Sequence, residues 1–206
     1  MKLNCHESPC RNSPYPNALR WLVAVILILG MTLQAAARTA PTVLMGSIVK
    51  VTDGDTVTLL DEQSAKHKIR LAGIDAPESK MPYGQRATRL LSSLILGKDV
   101  TALTYKNDRY GRAIATLMIG KRDINLAMVE AGLPWHYKQY AKEQPPAEAV
   151  AYAQAEDLAR MKRLELWQDS NPTAPWDWRR AHQRRSDKGC GAIILSEQAT
   201  RAGAVP

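Results

Sequence analysis

Two runs of β-branched and aliphatic residues, VLMGSIVKV at 43–51 and DTVTLL at 55–60, meet at the pair Asp53-Gly54. Asp-Gly between such runs signals a hairpin, because it accepts the positive φ angles of a tight turn. That pairing starts an antiparallel sheet, and later segments extend it. AKHKIRLAGI at 65–74 alternates as a third strand, and DVTALTY (99–105) and AIATLMI (113–119) read as two more, joined by KNDRYGR. Between the third and fourth strands, apolar residues fall at 83, 87, 90, 91, 94 and 95, a helical stripe closed by Gly97. Asp123 is placed to cap a short helix carrying Ile124, Ala127, Met128 and Ala131, which stops at Gly132. A longer helix is expected from Pro146 to about Leu164, with proline in its first turn. Three strands, a helix, two strands and two helices predict an α+β chain: a closed five-stranded barrel of the OB-fold type with three helices.

The two ends read differently. RWLVAVILILGMTLQAAA at 20–37 is an apolar run preceded by Lys2, Arg11 and Arg20, and it ends in the small-residue pattern of a signal peptidase site. Its apolar centre, Trp21 to Leu33, spans thirteen residues, short of the about 20 a membrane helix needs. The expectation is a signal peptide over 1–37 and export to the periplasm or medium; an uncleaved leader would instead be a membrane anchor. Without 1–37, 25 of the 28 basic and 19 of the 20 acidic residues remain, a net +6 against +8, with Cys190 as the single cysteine. Such a chain has no internal disulfide, so its core must hold unaided. The basic balance favours a polyanionic partner without choosing one. Beyond Trp167, SNPTAPWDWRRAHQRRSDKGCG predicts an irregular strap and a disordered basic tail over 169–206, leaving 38–168 as the folded domain. The tail is expected to add only nonspecific electrostatic affinity.

Several chemistries lack their signatures. No Cys-x-x-Cys or paired-histidine spacing suits zinc, and there is no glycine-rich phosphate loop or Gly-x-Ser-x-Gly elbow. His67 and His136 read as surface or packing residues. Oxygen ligands and guanidiniums remain. Asp53, Asp55 and Asp75 are hard donors suited to Ca²⁺ or Mg²⁺. If the third strand lies beside the second, Asp55 and Asp75 reach one barrel edge, where like charges need a cation between them. Arg70 offers a planar fork for phosphate or carboxylate, and Arg112, after the turn NDRYG, is placed to point toward the same edge.

The ordered series VTDGDTV, IRLAGIDAPE, YGQRA, NDRYGRAIA, INLAMVEAGLPW and LELW resembles the staphylococcal nuclease (thermonuclease) family, over about residues 43–168. The resemblance implies an OB barrel with three helices and Ca²⁺-dependent endonucleolytic hydrolysis of phosphodiesters in DNA and RNA. It implies a monomer with no stable protein partner and little sequence preference. By it, Asp55 and Asp75 are calcium carboxylates, Ala76 contributes its backbone carbonyl, and Asp53 stands behind them. Glu78 is the general base toward water, Arg70 and Arg112 bind the scissile phosphate, Arg109 and Tyr110 contact a terminal phosphate, and Tyr137 or Tyr140 stacks on a base. The segment SKMPYG after Glu78 is shorter than the mobile loop of well-known members, so rate and pH dependence do not carry over. A catalytically silent OB module that binds nucleic acid is the rival reading. The joint presence of Asp55, Arg70, Asp75, Glu78 and Arg112 favours the enzyme. Export predicts cleavage after Ala37: the intact mass of exported protein should match a chain beginning at Arg38, and a retained 20–37 segment would identify the anchored form instead.

Overall fold

The computed structural model describes residues 40–183. The leader, its cleavage site and the chain beyond 183 lie outside the described residues. Eight strands occur in chain order: β1 (Thr42–Asp53), β2 (Thr56–Leu60), β3 (Lys66–Leu71), β4 (Ile74–Asp75), β5 (Asp99–Asn107), β6 (Ala113–Ile119), β7 (Arg122–Asp123) and β8 (Trp135–His136). The long strands pair in the order β3-β2-β1-β5-β6, all antiparallel. A parallel pairing of β3 with β6, Ile69 opposite Ala113 and Leu71 opposite Ala115, closes the ring. This is the expected five-stranded barrel, and closure leaves no free edge among these strands. Alternation sorts the side chains: in β3, Ile69 and Leu71 turn into the core while Lys68 and Arg70 do not. Ile48, Val57, Leu59, Ala102, Ala115 and Leu117 complete the barrel interior.

Helix α1 (Gly84–Ile95) buries Ala87, Leu91 and Ile95, the four-residue repeat of one helix face, against that interior. Truncating such a leucine to alanine costs about 2–5 kcal/mol. Helix α2 (Ile124–Glu130) begins as expected at Asp123, whose Oδ1 accepts the Leu126 N–H at 2.9 Å. The other oxygen of Asp123 accepts the Tyr152 hydroxyl at 2.8 Å, tying α2 to α3 (Pro146–Met161). That third helix ends at Met161 rather than near Leu164. Its apolar stripe is weak because the buried face includes Glu156, which accepts the His136 N–H at 3.2 Å and pairs with Lys138 and Arg160. Among the described residues no helix is long and apolar enough to cross a membrane.

Three features depart from the sequence reading. The third strand does not run to residue 74. It breaks at Ala72-Gly73, where Gly73 takes φ 73°. Beyond the break, Ile74 and Asp75 pair with His136 and Trp135 instead of with the barrel. Second, the Asp53-Gly54 hairpin forms, with Asp53 opposite Thr56, but Gly54 is not among the residues with positive φ. Its glycine is required for room: a Cβ there would lie 2.6 Å from the Ala87 Cβ and 2.7 Å from the Ala76 Cβ. Third, the segment expected to be irregular after residue 168 is helical over 175–183 (α4).

Gly84, the first residue of α1, has the same tightness at the other side of the future site. A Cβ on it would stand 1.9 Å from the Glu78 carbonyl oxygen, so backbone must move. Gly84→Ala should therefore cost about 1–3 kcal/mol by overpacking, read from urea denaturation. A change below about 0.5 kcal/mol, within the usual surface range, would show that this close approach is not needed.

Candidate functional site

The hairpin turn, the end of β3 and the β4 segment meet at one rim of the barrel. Residue pairing explains it: Arg70 lies opposite Thr56, so the end of β3 stands beside the start of β2. The Leu71 N–H then donates to the Asp55 carbonyl at 2.8 Å. The Gly73 turn redirects the chain so that Asp75 comes back toward Asp55. The Ala76 N–H donates to Asp55 Oδ2 at 2.7 Å, locking the two acidic segments together. Asp75 is wholly buried and Asp55 nearly so.

Arg70 sits between these carboxylates. Its Nη1 is 3.1 Å from Asp55 Oδ2, and its Nη2 donates to Asp75 Oδ1 at 2.7 Å. Nη1 also donates to the Leu71 and Ile74 carbonyls at 3.1 and 2.9 Å, which bracket the Gly73 turn. One guanidinium thus pairs with both acids and fastens the turn that brings them together. Asp53 stands behind, its Oδ1 accepting the Asp55 N–H at 3.2 Å. Burial, and then the charge of Asp55, push its carboxyl up to about 6. Burial also raises Asp75 above the ordinary carboxylate range, against the opposing pull of Arg179 and Arg70.

Glu78 follows Pro77 at the rim and is partly exposed. Its N–H points to the Met81 sulfur at 3.4 Å, and its carbonyl lies under Gly84. Asp55, Arg70, Asp75 and Glu78 are therefore brought together, as the sequence reading expected. Arg112 is not tied to them. It is held in its own turn by Asp108, which accepts its Nε–H at 2.7 Å and its backbone N–H at 2.9 Å. The local carboxylate captures the guanidinium that the spacing suggested would face the acids. Arg109 and Arg112 both approach the exposed Tyr110 ring, at 4.8 and 5.6 Å from its centroid, so this turn presents a cationic and aromatic cluster of its own. Burial, and then the charge of Asp75, raise the hydroxyl of Tyr137, next to β8, above its usual range. Tyr140 packs edge-on against it at 4.9 Å.

The acids also receive a residue that sequence reasoning placed outside the site. Arg179, on α4, reaches Asp75 Oδ2 with Nη2 at 2.6 Å and Asp75 Oδ1 with Nη1 at 3.3 Å. The same Nη1 reaches Glu78 Oε1 at 2.7 Å. Three residues earlier, Trp176 stacks on Tyr137 at 5.3 Å and an interplanar angle of 10°. The expectation that the basic segment after 168 contributes only diffuse charge therefore fails for Arg179. Trp176 and Trp178 just before it were the available signal, since large aromatics in a basic strap need a surface to cover.

Among the described residues no three His, Cys, Asp or Glu side chains converge as a metal cluster. The convergent set is two buried carboxylates, with the Ala76 backbone adjoining them. Oxygen donors of this kind fit a hard divalent cation that completes its shell with water or substrate oxygens. On Asp75, Oδ1 faces Arg70 and Oδ2 faces Arg179.

Comparison with known proteins agrees with this geometry. A family profile described as staphylococcal nuclease homologue matches residues 68–169. An uncharacterized endonuclease of Haemophilus influenzae is 38% identical over 159 residues, covering 77% of this chain and 84% of that protein. A micrococcal nuclease of Shigella flexneri is 35% identical over 173 residues, covering 80% and 92% respectively. The staphylococcal-like nuclease CAN1 of Arabidopsis thaliana is 43% identical over 115 residues, which span 56% of this chain and 34% of the plant protein. With its closed barrel, its paired buried aspartates and these relatives, the chain belongs to the staphylococcal nuclease family.

Proposed function

We propose that the protein is an exported, Ca²⁺-dependent endonuclease that hydrolyses phosphodiesters of DNA and RNA with little sequence preference. The observation that carries this reading is the pair of buried carboxylates, Asp55 and Asp75, bridged by Arg70 beside the more exposed Glu78. A phosphodiester resists attack because its anionic oxygens repel nucleophiles. Asp55, Asp75 and the Ala76 carbonyl would hold Ca²⁺, which would supply charge withdrawal from a phosphate oxygen. The protein's groups do the rest. Glu78, partly exposed at the rim, accepts a proton from the attacking water. Arg70 and Arg112 stabilise charge that builds on the remaining phosphate oxygens, and preorganised donors of this kind lower barriers strongly. For Arg112 this requires only its terminal nitrogens, because its bond to Asp108 uses Nε. Tyr137 offers a ring for a base, and Arg109 with Tyr110 an exposed contact for a terminal phosphate.

Plasmid DNA and RNA incubated with the purified protein, with Ca²⁺ or with a chelator, test the reading directly. Cleavage of both substrates only with Ca²⁺ is expected. Binding without cleavage under any metal would favour the silent module.

The two carboxylate roles separate by substitution. Asp75→Asn should weaken Ca²⁺ binding, and activity should recover in part as Ca²⁺ is raised. Glu78→Gln should leave Ca²⁺ affinity no weaker while kcat falls about 10²–10⁴-fold, the worth of a general base, with no rescue by Ca²⁺. The opposite pattern of rescue would exchange the roles.

The arginines separate in another way. Arg70→Lys and Arg112→Lys should each lower kcat by roughly 10²-fold, since a point charge cannot reproduce a bidentate fork. Only Arg70→Lys should also lower Tm, because only Arg70 holds the Leu71 and Ile74 carbonyls. Full turnover in either variant would remove that arginine from the mechanism.

A further inference from the structure

We propose that α4 is a tethered occupant of the site, with Arg179 in the cation's seat and Trp176 in a base's place. Metal and nucleic acid must displace it before turnover. The inference rests on the reading of Asp55 and Asp75 as the Ca²⁺ ligands.

Two independent contacts point the same way. Arg179 spans both oxygens of Asp75 and reaches Glu78 as well, so a single guanidinium covers the metal carboxylate and the base. A hard cation on Asp75 needs the same lone pairs and is repelled by the guanidinium already on them. Trp176 meanwhile lies flat on Tyr137, covering the face of that ring as a nucleobase would. A phosphate clamp alone would have no need of the second contact.

The two arginines on Asp75 differ in permanence. Arg70 has a side chain 13% exposed and two bonds to backbone carbonyls. Arg179 is 40% exposed, and among the described residues its hydrogen bonds go to carboxylate oxygens alone. Its neighbours Arg180 and Asp177 pair with each other rather than with the acids of the site. The helix is moored by Trp176, which meets Trp135 edge-on at 5.6 Å, and by buried Ala174 and Pro175. Arg179 also lies beyond residues 68–169, the part matched by the family profile.

A docked competitor lowers apparent affinity by the fraction of molecules left open. If α4 is docked in roughly 90–99% of molecules, the loss is about 10- to 100-fold. Calorimetric Ca²⁺ titration of the full-length protein reads it. Arg179→Gln should tighten Ca²⁺ binding about 10- to 100-fold, and its turnover at saturating Ca²⁺ should be retained or raised. Trp176→Ala loosens the same helix through its other contact and should also tighten Ca²⁺ binding. Arg180→Gln, which removes the same charge one residue later, should leave Ca²⁺ affinity unchanged. In the wild type, Ca²⁺ should increase quenching of tryptophan emission by iodide as Trp176 leaves Tyr137, and Trp176→Ala should abolish that increase. Ca²⁺ affinity unchanged in both Arg179→Gln and Trp176→Ala, with turnover lost in the former, would overturn the proposal and make Arg179 a third phosphate-binding arginine. If neither the wild type nor any variant binds Ca²⁺, the calcium reading fails and takes this inference with it, an outcome distinct from equal binding by all.

Discussion

The site depends on one guanidinium held between two carboxylates that the fold buries. Asp55 is carried by a hairpin turn and Asp75 by a short strand outside the barrel, and neither segment alone specifies where the other goes. Arg70 joins them, and by holding the Leu71 and Ile74 carbonyls it also shapes the turn between. Removing one partner from a buried ionic arrangement of this kind costs about 3–5 kcal/mol, because the remaining charge is left uncompensated. Stability and chemistry are therefore not separable at this residue. The charge count is instructive as well: Asp55, Asp75 and Glu78 bring three negative charges, and Arg70 answers one. The rim is left acidic in a basic protein, which favours a cation there before any substrate arrives.

The barrel was legible because its signals are local and mutually consistent. Period-two alternation, an Asp-Gly turn, an Asp cap and glycine stops all operate within a few residues of where they act. The break in the third strand was missed although the alternation of AKHKIRLAGI slips there, Leu71 and Ile74 standing three residues apart across Ala72-Gly73. What diverts the chain is tertiary: Gly73 accepts the Tyr137 N–H at 2.8 Å, and Ile74 pairs with His136. Gly54 shows a related failure. The residue type was read correctly as a turn glycine, yet its reason is the approach of α1 and Ala76, which no hairpin rule contains.

The candidate site was legible to a similar degree. Asp55, Arg70, Asp75 and Glu78 could be associated because strand adjacency brings the start of β2 beside the end of β3. Arg112 shares that strand logic, since β6 lies beside β3, but its guanidinium found Asp108 four residues away. Backbone topology places a long side chain near a site, and local partners decide where its head rests. For Arg179 the difficulty was sharper. Arg179 and Arg180 are adjacent members of one basic run, chemically identical in the sequence. On a helix they project about 100° apart, so one meets Asp75 and Glu78 while the other meets Asp177. The docking of Trp176, with buried Ala174 and Pro175 before it, sets that rotation.

Two positive charges on one buried carboxylate therefore have different physical characters. Arg70 is part of the structure that makes Asp75 possible, and a metal must bind alongside it. Arg179 is attached through an aromatic mooring and a half-exposed ion pair, the kind of contact that salt weakens over a Debye length of about 8–10 Å. A cation exchanged at such a seat leaves the barrel unaltered, because nothing in the turn hangs on Arg179. This asymmetry lets most of the rim's negative charge be compensated for folding and still be available for chemistry. The permanent arginine answers the cost of burying the two aspartates, and the removable one answers the charge that the reaction later requires to be free.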